Sequence, residues 1–378
     1  MKFLHTSDWH LGAMEGNYSL KEDQQFFIDA ICNIAEQEQV DAVLIAGDVY
    51  DRSVASADAI SLYDAAMSRL CKQLRKQVLI IAGNHDSAER LAACGELLSM
   101  AGLHVAGMLE AKPFCVSFED ADIYLLPWIS EEKVRSVYPE RKNEIHNLES
   151  AYNAVTDVIR QSFDPAKKHI ILSHAYITDS ETSDSDRAAV IGYAANVSAK
   201  VFEGFDYAAL GHIHKPQTVA PGVRYSGTPM PFSFGKEESQ EKSVTIVDTA
   251  DMSEKVIPVP RLHRWTTLTG TLSELLNTQV SEEVRTGYVR LQITDAYASR
   301  ETMASLEVVY PKVRDFSGKS IEGDDSRIGM PMQEFEELQT DPEAIFARFC
   351  TENLNAEPDE HRMDLFRNAV KEVEEELK

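Results

Sequence analysis

Five short apolar runs, each closed by residues that bind metals, constrain this chain more than anything else in it. FLHT (3–6) leads to Asp8 and His10, AVLIA (42–46) to Asp48, and VLIIA (78–82) to Asn84; HIILS (169–173) leads to His174, and YAAL (207–210) to His212 and His214. Between the first runs, residues 22–38, 58–76 and 88–102 carry apolar positions at helical spacing, for example Ile60, Tyr63, Met67 and Leu70. Strand-like runs alternating with helices describe layered α/β structure. In such sheets, ligands collect beyond the carboxyl ends of the strands, where adjacent loops converge on a rigid frame. Five separate runs ending in donors therefore imply one cluster.

The local spacings support that cluster. Asp8 and His10, and again His212 and His214, stand two residues apart, so in an extended backbone each pair aims to one side. Gly47 and Gly83 precede Asp48 and Asn84 and allow sharp turns. An asparagine offers an amide oxygen to a metal, and His85 beside it can reach past toward substrate. Each motif alone has an ordinary explanation, such as a turn aspartate or a hydrogen-bonded core histidine. Their recurrence after five apolar strands does not. Oxygen and nitrogen donors without sulfur suit Mn, Fe or Zn and disfavour copper(I) or iron–sulfur chemistry.

The rest of the chain narrows the function class. Of 378 residues 43% are hydrophobic and 26% charged, ordinary for a folded protein with a large core. The formal charge of −25 excludes a protein that coats nucleic acid through a broad basic surface. Any attraction for phosphate must be local, and two divalent ions against Asp8 and Asp48 would leave the site at about +2. Cys32, Cys71, Cys94, Cys115 and Cys350 are scattered, with no CxxC, and suggest buried thiols. No apolar run nears the roughly 20 residues of a membrane span and the start lacks a signal-peptide core, so a cytoplasmic protein is expected.

Strand candidates FCVSF, IYLLP, VRYSG and SVTIVD, within 114–126 and 223–259, suggest a second sheet packed on the first. Residues 271–318 read as a small α/β unit, with helices near 272–278 and 300–309 and strands at 288–294 and near 312–316. Residues 320–332 are Gly- and Asp-rich and read as a linker. The last segment, 334–378, holds 14 acidic residues against 5 basic ones. Asp341 and Pro342 make a helix start, and Met363, Phe366, Val370, Val373 and Leu377 repeat at helical spacing, so two amphipathic helices are expected.

DxH at Asp8 and His10, GDVYD (47–51), GNHD (83–86), the single His174 and GHIH (211–214), in that order, resemble the calcineurin-like metallophosphoesterases over about residues 1–260. HTSDWHLG, IAGDVYDR, AGNHDS, TSDSDRAAVIG (182–192), LGHIHKPQ and RYSGTPMPFSF (224–234) resemble, within them, the SbcD family of bacterial nucleases of double-strand-break repair. The resemblance implies a four-layer α-β-β-α sandwich (1–265), a small α/β capping domain (266–320), a linker (321–333) and C-terminal helices (334–378) that bind the ATPase SbcC. It further implies an Mn-dependent DNA phosphodiesterase acting as a 3′ to 5′ double-strand exonuclease and a single-strand and hairpin endonuclease. Asp8, His10, Asp48 and His214 would hold one metal, and Asp48, Asn84, His174 and His212 the other. His85 would assist the leaving oxygen. Helices 58–76 and 88–102 would mediate a homodimer. Archaeal relatives often carry histidine where this chain has Asp51, so Asp51 or Asp86 is expected to orient His85 through its carboxylate. The competing readings are a phosphoesterase of small nucleotides or phosphoproteins, and a ligand-depleted scaffold, which the complete donor set disfavours.

Overall fold

The computed structural model describes residues 1–178, 180–188, 197–296, 299–318, 343, 346, 360 and 362–367. The chain divides into two compact units, Met1–Lys319 and Ser320–Lys378. In the first, two six-stranded sheets lie face to face. One runs in the order Ser253–Pro258, Ser243–Asp248, Lys2–Thr6, Ala42–Ile45, Gln77–Ile81, Leu103–Ala106; the other runs Gln217–Ala220, Val223–Tyr225, Tyr207–Gly211, Lys168–His174, Ala121–Leu126, Phe114–Ser117. Pairing is parallel except where Ser243–Asp248 meets Lys2–Thr6 and Ser253–Pro258 in the first sheet and at the Gln217–Ala220 and Phe114–Ser117 edges of the second.

The layers follow from which side chains the strands present on each face. Phe3, Leu44, Leu79 and Ile81 of the first sheet meet Ile123, Ile170, Leu172 and Tyr207 of the second in one apolar layer. Leu4, Val43, Ile45 and Ile80 face outward onto Phe27, Ile28 and Ile31 of the helix Lys21–Gln37, and onto Leu62 and Ala66 of Ala57–Met67. On the far side Ile171, Ala208 and Leu210 pack under the helix Leu148–Arg160. The result is the expected four-layer α-β-β-α sandwich.

Three details differ from the sequence reading. SVTIVD does form a strand, but Ser243–Asp248 returns to the first sheet, antiparallel beside Lys2–Thr6, while HIILS and YAAL become central strands of the second. The five apolar runs therefore divide three to two between the sheets. Residues 88–102 are not one helix, because Cys94 takes a left-handed backbone (φ 59°) that separates Ala88–Leu91 from Gly95–Ser99. Ile60, counted among the apolar positions of its helix, is 52% exposed, and Ala59, Leu62, Ala66 and Met67 form the buried face instead.

Beyond residue 260 a three-stranded parallel sheet, Trp265–Gly270, Tyr288–Ile293 and Val313–Ser317, carries the short helices Leu272–Asn277, Glu282–Thr286 and Arg300–Glu307. It has its own core of Leu275, Val289, Leu291, Leu306 and Tyr310. It joins the sandwich through Trp265, whose ring sits 4.8 Å from Phe234, and through Asp23, which accepts the Tyr288 hydroxyl at 2.6 Å. In the second unit, residues 362–367 are helical, Phe346 stacks on Phe366 at 4.3 Å, and Arg367 grips both Glu343 oxygens at 2.9 Å. The linker at 321–333, Asp341, Pro342, Val370, Val373, Leu377 and most of 334–378 lie outside the described residues, as do 189–192 of TSDSDRAAVIG. Among the described residues no helix is long and apolar enough to cross a membrane.

Candidate metal centre

The carboxyl ends of Lys2–Thr6, Ala42–Ile45, Gln77–Ile81, Lys168–His174 and Tyr207–Gly211 meet at one edge of the sandwich, and each delivers donors there. The turns that do so are strained. Asp8, His10, Asp48 and His212 all have positive φ, at 51°, 42°, 48° and 101°, a region few non-glycine residues enter and one that costs about 1–3 kcal/mol each. Hydrogen bonds between neighbouring turns hold them: Asp8 N–H to Gly47 O at 3.0 Å and His10 N–H to Asp48 O at 3.0 Å. The Asp86 carboxylate accepts the N–H groups of Gly83, Val49 and Tyr50 at 2.9, 3.1 and 2.9 Å, tying GDVYD to GNHD. Glycine is required where these turns touch. A Cβ on Gly83 would overlap the Asp48 carboxylate, and one on Gly211 would overlap the Ala46 carbonyl.

The donors fall into two groups. Asp8, His10 and His214 bring one ligand atom each within 4.8 Å of one another, and so do Asp48, His174 and His212. Nε2 of His10 lies 3.2 Å from Nε2 of His214. In the second group Asn84 Oδ1 stands 3.0 Å from both His174 Nε2 and His212 Nδ1. Asp48 Oδ2 lies between the groups, 3.3 Å from His174 Nε2 and 3.9 Å from His10 Nε2. All seven expected ligands thus converge. A cleft of about 200 Å³ opens over them, walled by Met14, Asp51, His85 and Phe232.

The family model for calcineurin-like phosphoesterases matches residues 1–216, a span that contains every one of these donors. This chain belongs to the calcineurin-like phosphoesterase family. It is SbcD-like over most of its length, being 28% identical over 317 residues to the SbcD subunit of the nuclease SbcCD from Staphylococcus epidermidis, a match that covers 83% of this chain and 84% of that one. Among solved structures it is similar to TT1561 of Thermus thermophilus, at 13% identity and TM-score 0.39 over 68% of this chain and 99% of that one. A dimetal phosphatase from Danio rerio matches at 13% identity and TM-score 0.38 over 69% and 99% of the two chains.

The donors of this phosphoesterase fit divalent cations. His174 gives its Nδ1 hydrogen to the Ala46 carbonyl at 2.8 Å, which turns Nε2 toward the Asn84 and Asp48 oxygens. Three acceptor-type atoms aimed at one point are stable only around positive charge. Electrostatics states the same demand. Burial opposes a charge on His174, yet Asp48 raises it to about 9. Burial likewise opposes a charge on His214, and Asp186 and Glu237 raise it to about 9. At His10 and His212 burial dominates and pushes both down to about 3, leaving neutral imidazoles with lone pairs to donate. Burial pushes Asp8 up to about 6; burial also opposes a charge on Asp48, but His174, His10 and His85 together hold its carboxyl well below the usual range. With no thiolate in the set, the donors suit borderline divalent ions.

Two expectations about carboxylates need correction. His85 Nδ1 pairs with the main-chain carbonyl of Asp51 at 3.0 Å, not with a carboxylate. The Asp51 carboxylate stands instead 4.0 Å from His10 Nδ1, and that of Asp86 is committed to three backbone N–H groups. Sequence reasoning also missed several members of the site. Trp128 stacks on His212 at 5.5 Å, and Phe232 lies 5.4 Å from His10. Ser185, Asp186, Glu237 and Lys242 back His214. Ser185, Asp186 and Phe232 lie in the stretches TSDSDRAAVIG and RYSGTPMPFSF that the resemblance flagged, but nothing in their spacing points to His10 or His214; Glu237, Lys242 and Trp128 carried no signal.

Proposed function

We propose that this phosphoesterase is an Mn-dependent DNA nuclease, a 3′ to 5′ double-strand exonuclease and single-strand and hairpin endonuclease, acting with SbcC in DNA end processing, double-strand-break repair and recombination in the cytoplasm. The observation that carries the reading is the convergence of two donor triads, with Asp48 of one reaching toward His10 of the other. Asp8, His10, Asp48 and His214 would hold one ion, and Asp48, Asn84, His174 and His212 the other. Two such ions would supply Lewis acidity that activates water and offsets charge on phosphate oxygens. The chain's own residues do the rest. His85 hangs over the cleft, its main-chain N–H on Asp48 Oδ1 at 2.9 Å and its Nδ1 on Asp51 O, so that Nε2 is the ring atom left to face a leaving oxygen. Phe232 and Met14 form an apolar wall beside a site otherwise made of charge.

Support for DNA over a small phosphoester is the SbcD-like length of the match and the separate sheet after residue 260, which a minimal phosphatase does not need. Partnership with SbcC rests on the same similarity and on the acidic segment 334–378. For the homodimer, the support is Leu97 and Met100, 70% and 87% exposed on adjoining turns of the 88–102 segment. Purified protein with Mn should cut a DNA hairpin faster than bis(p-nitrophenyl) phosphate at equal concentration, and SbcC with ATP should extend cutting to duplex ends. Hydrolysis of the small diester alone would favour the small-substrate reading.

A further inference from the structure

His214 is gripped by a polar network deeper than any other donor's. Glu237 and Lys242 are both wholly buried and face each other at 3.2 Å. One Glu237 oxygen accepts the hydroxyl of Ser185, and the other accepts the Phe232 N–H at 2.9 Å. The same Ser185 oxygen lies 2.6 Å from Nδ1 of His214. Lys242 donates to the His214 carbonyl at 3.1 Å. The Asp186 carboxylate accepts the His214 N–H at 3.2 Å and the Ser183 N–H at 2.6 Å, closing the turn that carries Ser185, and stands 3.5 Å from Nδ1.

The hydrogen count orders this network. An ionised carboxylate only accepts, and a serine hydroxyl has a single hydrogen to give. That hydrogen goes to Glu237, so Ser185 must accept from His214, and the ring keeps its hydrogen on Nδ1. Nε2 is then the atom turned on His10. In the other triad, the equivalent task falls to a neutral backbone group, the Ala46 carbonyl behind His174. An acceptor behind a ligating imidazole fixes its tautomer and raises its basicity, and a network that ends on an ionised carboxylate holds more strongly than one that ends on a neutral carbonyl. A buried Lys–Glu pair is weak evidence for stability, since desolvation offsets the attraction. Its retention here has a use at the site.

We propose that Glu237, through Ser185, is a positioning residue that tightens the ion held by Asp8, His10 and His214 and leaves the ion on the Asn84 side unaffected. The inference rests on the two-ion reading above. Titration calorimetry with Mn alone and the electron paramagnetic resonance spectrum of the loaded protein test it. In Ser185→Ala one of two sites should weaken about 10- to 100-fold, and the spin-coupled pair signal should give way to that of a single Mn at intermediate concentration. Ser185→Thr, which keeps the hydroxyl, should restore both. Glu237→Gln combined with Lys242→Met removes the two buried charges together, and should show the same one-site loss with an unchanged circular dichroism spectrum. Two ions bound by wild type and by Ser185→Ala with equal affinity, or a parallel loss of both, would overturn the inference alone. Fewer than two ions in wild type would overturn the two-ion reading and this inference with it.

Discussion

The two ends of the strands make a sharp contrast. At the amino ends of the first sheet a cleft of about 880 Å³ opens among Met1, Asp41, Gln77, His104, Glu119 and Asp120, several times the roughly 200 Å³ above the metal donors. Yet most of its polar groups already have partners among themselves or next to it. The Met1 ammonium meets Asp120 at 2.5 Å and Thr249 at 2.6 Å, His104 meets Gln77 at 2.9 Å, and Asp41 accepts the Lys2 N–H at 2.8 Å. At the carboxyl ends the relation is reversed. Backbones are strained, glycines are mandatory, and buried donors point at one another. Unshared lone pairs mark the reactive end; volume does not, and neither does positive φ alone, since Gln39 and Arg75 have φ of 53° and 55° at the amino ends.

The largest effect should come from Asp48, which belongs to the triad of His174 and His212 and reaches within 3.9 Å of His10 in the other. Asp48→Ala takes a ligand from each proposed ion and a counter-charge from His174, so purified protein should retain neither metal by elemental analysis and hydrolyse nothing. Retention of a full metal complement would break the contrast at its centre. His85→Ala should be smaller and of a different kind. His85 is no member of either donor triad, so metal content should hold while kcat falls by roughly 10²- to 10⁴-fold, the range of a positioned acid. Equal activity with bound metal would remove His85 from the chemistry.

Next comes the backbone. Gly211→Ala would drive a Cβ into the Ala46 carbonyl, the acceptor that orients His174. It should destabilise the protein by roughly 1–3 kcal/mol, as overpacking does, and weaken metal uptake. Gly95 is the matched control away from the site, because its Cβ would meet only the Val105 carbonyl at 4.0 Å. Gly95→Ala should leave the melting temperature and metal content within error of wild type. Equal melting temperatures and metal content for the two variants would show that close approach at the site is not what requires glycine.

How much of this was legible in the sequence follows the same division. The donors could be read because each follows an apolar strand, whereas the i, i+2 spacing was only half informative: Asp8 and His10 share a triad, but His212 and His214 part into different ones. Asp8, His10 and His212 also leave the extended backbone, with φ of 51°, 42° and 101°. The assignment of strands to sheets could not. Ser243–Asp248 alternates no differently from a strand of either sheet, and only its antiparallel partner Lys2–Thr6, more than 200 residues earlier, decides. The helix Leu148–Arg160 was readable and was not placed, although Leu148, Ala151, Tyr152, Val155 and Ile159 bury at helical spacing behind an Asn147 cap. The support behind His214 was hidden for a physical reason. KEESQEK reads as a solvated charged run, and burial of Glu237 and Lys242 depends on their being each other's partner.

The smallest expected effect tests the contrast from its quiet side. His104 lies in the larger cleft, half-buried, with Gln77 as its partner and burial pushing its ring toward the neutral form. His104→Ala deletes one neutral hydrogen bond and leaves a glutamine that water can reach. The cost should be about 1 kcal/mol of stability or less, with kcat/KM for the small diester within about twofold of wild type. The outcome discriminates because the two clefts lie at opposite strand ends of one rigid sandwich, joined only through the packed apolar layer of Phe3, Leu44, Leu79 and Ile170. A tenfold loss of hydrolysis in His104→Ala, at unchanged metal content, would mean that the larger cleft takes part in turnover and that paired polar groups are no sign of an inert surface.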